Sequence, residues 1–218
     1  FVERIPRVAI PLLLFLKLGL MGECTGITFI DSTRIPVCEN KRQSRNRVFK
    51  GYAQKGKSTM GWYYGFKLHL LCNERGELLN FALTRANVDD RNPKVFNDLT
   101  KDLFGKLYAD KGYISQSLFA SLFDRGVHIV TGIRTNMKNR LMDVHDKIML
   151  RKRSIIETIN DMLKNVAQIV HTRHRSISNF IVNLLAGIAA YAFYDTKPSI
   201  NMEFEMDAKQ GVKQLTLF

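Results

Sequence analysis

Apolar positions along this chain alternate between short β-branched or aromatic runs and longer stripes at helical spacing. The run around Pro11–Gly19 predicts a short helix. At about half of the roughly 20 residues a bilayer span requires, and interrupted by Lys17, it reads as a core helix and not an anchor. Gly22 and Gly26 break the chain before ITFID, which predicts a buried strand with Asp31 at its C-terminal end. A long polar loop, Asn40 to Gly61, follows, and a loop of that length inside a compact domain is usually functional or disordered. WYYGFKLHLLCN then alternates, Asn73–Gly76 supply a turn, and ELLNFALTRA alternates again, the pattern of a β-hairpin.

Asn92–Leu103 has helical spacing, with Asn92 as N-cap and Pro93 at the first helical position. KLYAD predicts another short strand ending on a carboxylate, Asp110. Ser115–Asp124 reads as a helix capped by Ser115, and VHIVTGI as a strand bounded by Gly126 and Gly132. After a polar, basic stretch from Arg134 to Lys147, one helix is expected from about Arg151 to Val170 and a more apolar one from Ser176 to about Tyr194. The last twenty or so residues read as a polar tail. Strands and helices alternating around a hairpin argue for an α/β sheet with helices on its faces. No internal repeat is visible.

Composition narrows the function. The 218 residues suffice for one substantial domain with a small appendage. Lys and Arg total 33 against 20 acidic residues, a net charge of +13. Such an excess favours a polyanionic partner through counterion release, so nucleic acid is the first expectation. A membrane partner is not expected, because many of the bases lie in an irregular stretch from Lys41 to Lys57 and not along one face of an amphipathic helix. The three cysteines, Cys24, Cys38 and Cys72, fit neither a disulfide framework nor a paired zinc motif, which points to a reducing cytoplasm. The chain opens on Phe1 and directly on an apolar pattern, so a further N-terminal region is expected.

Asp31 and Asp110 each end a predicted strand, and in a parallel pairing their carboxylates would emerge at the same sheet edge, where ligands of open α/β sheets bind. Glu157 sits in RSIIETINDMLKN beside the stripe Ile155, Ile156, Ile159, Met162 and Leu163. Three carboxylates suffice to hold two magnesium ions about 3.5–4 Å apart, the arrangement that activates an attacking oxygen and stabilises a leaving one in phosphodiester displacement. Each residue also has a plainer reading: Asp at a strand end is a common turn or cap residue, and Glu157 alone is a solvated helix residue. Spacing by itself does not link the three.

The local words do. FIDSTRIPVC around Asp31, GFKLHLLCNERGELLNFALTRANVDDR across the hairpin, LYADKGY around Asp110 and RSIIETINDMLKN around Glu157 together resemble a bacterial insertion-sequence DDE transposase, most closely the insertion sequence 982 type. The resemblance covers roughly Gly26 to Tyr194. It implies a ribonuclease H-like mixed sheet flanked by helices, with extra C-terminal helices. The organisation implied is the end of an N-terminal helical region over 1–25, the DDE catalytic domain over 26–195 and a polar tail over 196–218. Asp31, Asp110 and Glu157 become the catalytic and metal-holding residues, for two Mg2+ ions that Mn2+ can replace. The implied reaction is endonucleolytic cleavage at the ends of the element and strand transfer into target DNA. Double-stranded DNA, a homodimer in a synaptic complex and a bacterial, nucleoid-associated cytoplasmic setting follow from the same resemblance.

The related signature of Tyr, Arg, Glu and Lys around the glutamate appears as R-x3-E-x6-K through Arg153, Glu157 and Lys164, with Leu150 at the tyrosine place. Arg153 and Lys164 are therefore expected to touch DNA phosphates, although Arg153 and Glu157 also have the spacing of an exposed helical ion pair. Lys111 and the loop residues Arg42, Arg45, Arg47, Lys50, Lys55 and Lys57 are expected DNA contacts as well. Trp62 reads as a core aromatic or as a platform for a displaced base. His69 reads as a partly buried strand residue with no partner in the sequence. For His171 and His174 phosphate contact is a better functional reading than zinc, and Asp89 and Asp90 read first as caps of the helix that Pro93 begins, with a supporting role near the metals as the other reading. Two alternatives to the transposase stay open: a structure-specific nuclease of the same fold, and a DNA-binding remnant whose catalysis has decayed.

Overall fold

The computed structural model describes residues 2–133, 141–170, 174–200, 203–206 and 213–216. Its centre is β1 (Ile27–Cys38), 12 residues long. On one side β1 pairs antiparallel with β3 (Gly61–Asn73), from Thr28 opposite Asn73 to Cys38 opposite Tyr64. On the other it pairs parallel with β5 (Gly105–Ala109), but only from Ile27 opposite Lys106 to Phe29 opposite Tyr108. β6 (Val127–Thr131) extends the parallel side. The far side of β3 is shared, β2 (Gln54–Ser58) covering its first half and β4 (Leu78–Arg85) its second. The result is a six-stranded mixed sheet.

The antiparallel side is built from tight turns. Ser58 faces Gly61 across the β2–β3 turn. In the β3–β4 turn the Asn73 carboxamide oxygen accepts from the backbone N–H of Arg75 and of Glu77, each at 3.0 Å, and Gly76 takes φ +74°. That αL conformation is one glycine adopts without a Cβ penalty. The parallel side needs crossovers. α2 (Pro93–Leu99) and α3 (Gln116–Phe123) lie against one face, where Ile30, Leu71, Leu107, Phe96, Leu118 and Leu122 make one core.

The opposite face carries α4 (Val144–Lys152), α5 (Ser154–Asp161) and α6 (Ile177–Ala192). There Phe29, Leu68, Leu70, Tyr108, Ile156, Ile159, Phe180 and Ile188 form the larger core. Burying each such side chain contributes about 1.5–3 kcal/mol. Alternation explains the two layers, since Phe29 and Ile30, adjacent in β1, face opposite cores. The architecture is mixed α/β with helices on both faces, as the alternation of elements predicts.

Several expected boundaries move. The strand at ITFID does not end at Asp31 but runs on to Cys38, because its antiparallel partner β3 continues. The long polar loop is not structureless: it holds a 3-10 helix, Asn40–Arg45, and β2, whose Gln54, Gly56 and Ser58 alternate with Lys55 and Lys57. The single helix expected from Arg151 breaks at Arg153 into α4 and α5 and ends in a π-turn at Met162–Val166. The apolar run near the start, α1 (Ala9–Phe15) with a π-turn at Leu16–Leu20, is not a core helix. Only Leu16 is buried, and Ile10, Leu14 and Leu18 are exposed. Within the expected tail, β7 (Glu203–Met206) pairs antiparallel with β8 (Lys213–Thr216). Among the described residues no helix is long and apolar enough to cross a membrane.

Candidate active site

The early end of the β1–β5 pairing makes the site. Carrying its register two residues past Phe29 and Tyr108 brings Asp31 beside Asp110, just where β5 stops and β1 continues with β3 alone. The two aspartates share the face of Phe29 and Tyr108, whose rings stack with centroids 5.5 Å apart. Over that face lies α5, and α4 before it is tied to β5 by Asp146, which accepts from Lys106 Nζ at 2.7 Å and Tyr108 Oη at 2.8 Å. Asp31, Asp110 and Glu157 consequently line one groove of about 410 Å³ with Arg153, Lys164 and Lys57.

Asp31 is the most constrained of the three. Asn160, 5% exposed and one turn beyond Glu157 on α5, donates from Nδ2 to Asp31 Oδ2 at 2.9 Å. Burial pushes the Asp31 carboxyl up to about 6, against the pull of the Arg153 guanidinium, with Glu157 and Asp110 adding to the rise. Arg153, at the break between α4 and α5, donates from Nη2 to Glu157 Oε1 at 2.5 Å, and its Nη1 lies 3.8 Å from Asp31 Oδ1. It thus forms the expected i,i+4 pair with Glu157, whose side chain is half-exposed, and also reaches Asp31, a cation set between two carboxylates. Lys164 lines the groove too; burial lowers its pKa, with Arg34 adding to the drop.

A fourth carboxylate lines the groove from the other side of the sheet. Asp90 Oδ1 forms an ion pair with the Lys67 ammonium at 2.9 Å and stands 3.9 Å from His69 Nδ1. His69 is buried, with Nε2 2.9 Å from Thr84 Oγ1, and burial holds its pKa down to about 4, so the ring is neutral. The expected capping role of Asp89 and Asp90 is not what forms. Asn92 itself caps α2, accepting from Lys94 N and Val95 N, and Asp89 is held by Arg91. The DD word therefore divides, one residue to Arg91 and one to the groove.

The expected basic contacts separate in the same way. Lys57, Arg153 and Lys164 line the groove, and Lys55 lines a recess beside it. Arg42, Arg45, Arg47 and Lys50 are exposed on the 3-10 helix and the turn after it, outside the groove, and Arg42 faces Glu39 at 3.9 Å. Lys111, exposed beside Asp110, packs its side chain near Gly132. Lys67 and Arg34, which the sequence did not mark, do line it. His171 lies outside the described residues, and His174 sits edge-on to Phe180 at 5.6 Å. Trp62 is not core: it is 54% exposed.

Asn160 and Lys67 are the groove residues that sequence reasoning missed, and Asp90 is one it read first as a helix cap. Asn160 is one turn from Glu157 on the same helix, so its face was readable; Asp90 and Lys67 depend on which side of the sheet the β4–α2 connection crosses. Among the described residues, no three His, Cys, Asp or Glu side chains are already drawn together as a metal-ligand cluster. The groove nonetheless offers the carboxylate oxygens of Asp31, Asp110 and Glu157, set among the cationic side chains of Arg153 and Lys164, and carboxylate oxygen is what a hard divalent cation takes.

No curated protein matches the sequence. Among solved structures, the chain is similar to a piggyBac transposase in a synaptic complex with hairpin DNA, at 10% identity and a TM-score of 0.48. The alignment covers 79% of this chain and 47% of that one, so this chain spans about half the length of the transposase it matches. Residues 21–177 match the model of the transposase DDE domain, a stretch that holds all six strands of the main sheet, Asp31, Asp110 and Glu157, and the chain therefore belongs to the DDE transposase family.

Proposed function

We propose that this chain cuts DNA at the ends of a mobile element and joins the freed strand to target DNA, with Asp31, Asp110 and Glu157 as the catalytic, metal-holding trio. The observation that supports the reading is the one groove that Asp31 of β1, Asp110 just past the end of β5 and Glu157 of α5 all line, next to the parallel pairing of β1 with β5. The sheet order, with β1 parallel to β5 and antiparallel to β3, suits a ribonuclease H-like sheet, and the local words suit an insertion-sequence transposase of the 982 type.

The three carboxylates would hold two divalent cations, Mg2+ or Mn2+, which when bound polarise the scissile phosphate and lower the pKa of the attacking oxygen. Asn160 fixes the orientation of the Asp31 carboxylate. Arg153 balances Asp31 and Glu157 before DNA arrives, and its guanidinium is placed to turn to a phosphate oxygen once cations take over that balance. Lys57 and Lys164 on the groove walls, together with Lys55 beside it, carry the remaining phosphate charge. Lys111, Arg42, Arg45, Arg47 and Lys50 would contact DNA outside the groove. Synapsis of two ends would bring two copies of the chain together in a nucleoid-associated homodimer.

A labelled duplex carrying the element end, incubated with supercoiled plasmid and Mg2+, tests the reading: labelled strands joined to plasmid are expected. Cut strands without joined products would reduce the activity to that of a nuclease, and neither product would overturn it.

A further inference from the structure

Trp62 is the only tryptophan of the chain, and it sits where an apolar side chain has little structural reason to be. It is 54% exposed on β3, directly opposite Lys57 in the β2–β3 ladder. The ammonium groups of Lys55 and Lys57 lie 5.1 and 5.9 Å from its ring centroid. Met60, at the tip of the same turn, is 75% exposed and lines the acidic groove.

The ring lines a recess of about 550 Å³ shared with Asn87, Asp89 and Gly112. Lys57, Lys67, Asp90 and Gly112 line both this recess and the acidic groove, so the two are one continuous surface. A cavity of that size is in the range that holds small ligands, about 300–1,000 Å³.

Two ammoniums around an open indole make a surface unlike a protein-docking patch, which is depleted in charge at its centre. They suit a ligand that presents an aromatic face and an anion together. An unpaired nucleotide does so, and every base has a π-face to stack.

We infer that Trp62, bracketed by Lys55 and Lys57, is a stacking platform for one unpaired nucleobase of the DNA strand whose phosphate occupies the acidic groove. This rests on the DNA-cutting reading above and adds that the strand is locally unpaired next to the cut. Asn87 lines the recess where the edge of the base would lie, and Met60 lines the groove where the neighbouring base would pass.

The lone indole reports on its own site. The full chain is titrated with a dye-labelled single-stranded dT16 and with an abasic 16-mer of equal charge, following indole emission and dye anisotropy together. The expected result is strong quenching by dT16, little by the abasic strand, and affinity for dT16 about tenfold the higher, within the 1–3 kcal/mol of one base–aromatic stack. Trp62→Ala should remove that difference and Trp62→Phe should keep part of it. Equal binding of both strands with no quenching would overturn the platform and leave phosphate recognition standing. Binding of neither strand, nor of a duplex, would overturn the DNA reading as well.

Discussion

Asn160 Nδ2 donates to Asp31 Oδ2 at 2.9 Å, joining α5 to the centre of β1 across 129 residues of sequence. The bond fixes one oxygen of the most buried carboxylate in the groove, and the Asn160 carboxamide is itself buried. Asn160→Ala should leave the fold intact while weakening divalent-cation binding or turnover about 10–100-fold, the usual effect of losing a residue that orients a ligand. The cation dependence of strand cleavage measures this; an unchanged half-saturating Mg2+ concentration would remove Asn160 from the site.

The buried Asp31 carboxyl predicts a pH dependence of stability. Its pKa is raised from 3.8 to about 6, so the folded state holds a proton that the unfolded chain releases earlier. Stability from this group is fully present below about 3.8 and is lost as pH rises through about 6, by on the order of 2–3 kcal/mol at most. Without divalent cations the melting temperature should fall between pH 5 and pH 8 in the wild type and fall less in Asp31→Asn. Adding Mg2+ at pH 8 should stabilise the wild type alone.

Gly105 opens β5 at φ +80°, and a Cβ there would lie 2.4 Å from the carbonyl oxygen of Gly26. That contact sets the strand beside β1 and with it the position of Asp110. Gly105→Ala combines a strained backbone with a main-chain clash and should cost about 3 kcal/mol or more. Urea unfolding gives the figure, and a loss below about 1 kcal/mol would mean that the strand end can shift without harm.

Lys57 and Arg42 make a contrast in DNA affinity. Lys57 lines the acidic groove, whereas Arg42 lies outside it and faces Glu39. Lys57→Gln should reduce the slope of log affinity against log salt by about 1, while Arg42→Gln, a contact outside the groove that is shared with Glu39, should reduce it by less. Equal effects would spread the phosphate path over the whole 40–57 segment.

Element types were legible in the sequence where local chemistry decides them. Asn92 with Pro93 announced α2, the alternation through residues 62–73 announced the long hairpin strand, and LYAD announced β5. What escaped depended on neighbours far along the chain. β1 outruns ITFID because β3 keeps donating and accepting backbone bonds past Asp31, and the helix expected from Arg151 breaks where Arg153 turns toward Asp31. The apolar stripe at Ile10–Leu18 predicted burial, yet only Leu16 is buried, with Leu12 packed partly against the core and Phe15 stacked on Phe193, leaving most of it outside. In the groove, Asp110 was readable from the end of its strand, whereas Asp31 stands within β1 and, like Glu157, was marked by the words around it. Asp90 was read first as a cap, its place near the groove being the second reading, because its partners Lys67 and His69 come from a different strand.

The central claim is that Asp31, Asp110 and Glu157 act together on one phosphate. The most direct measurement is Mg2+-dependent cleavage of a labelled element-end duplex by the wild type and by Asp31→Ala, Asp110→Ala and Glu157→Ala, each with its DNA affinity measured alongside. Loss of cleavage by at least about a thousandfold in all three, with DNA affinity held within a few fold, is the predicted result. Retained cleavage in any one of them would contradict the account.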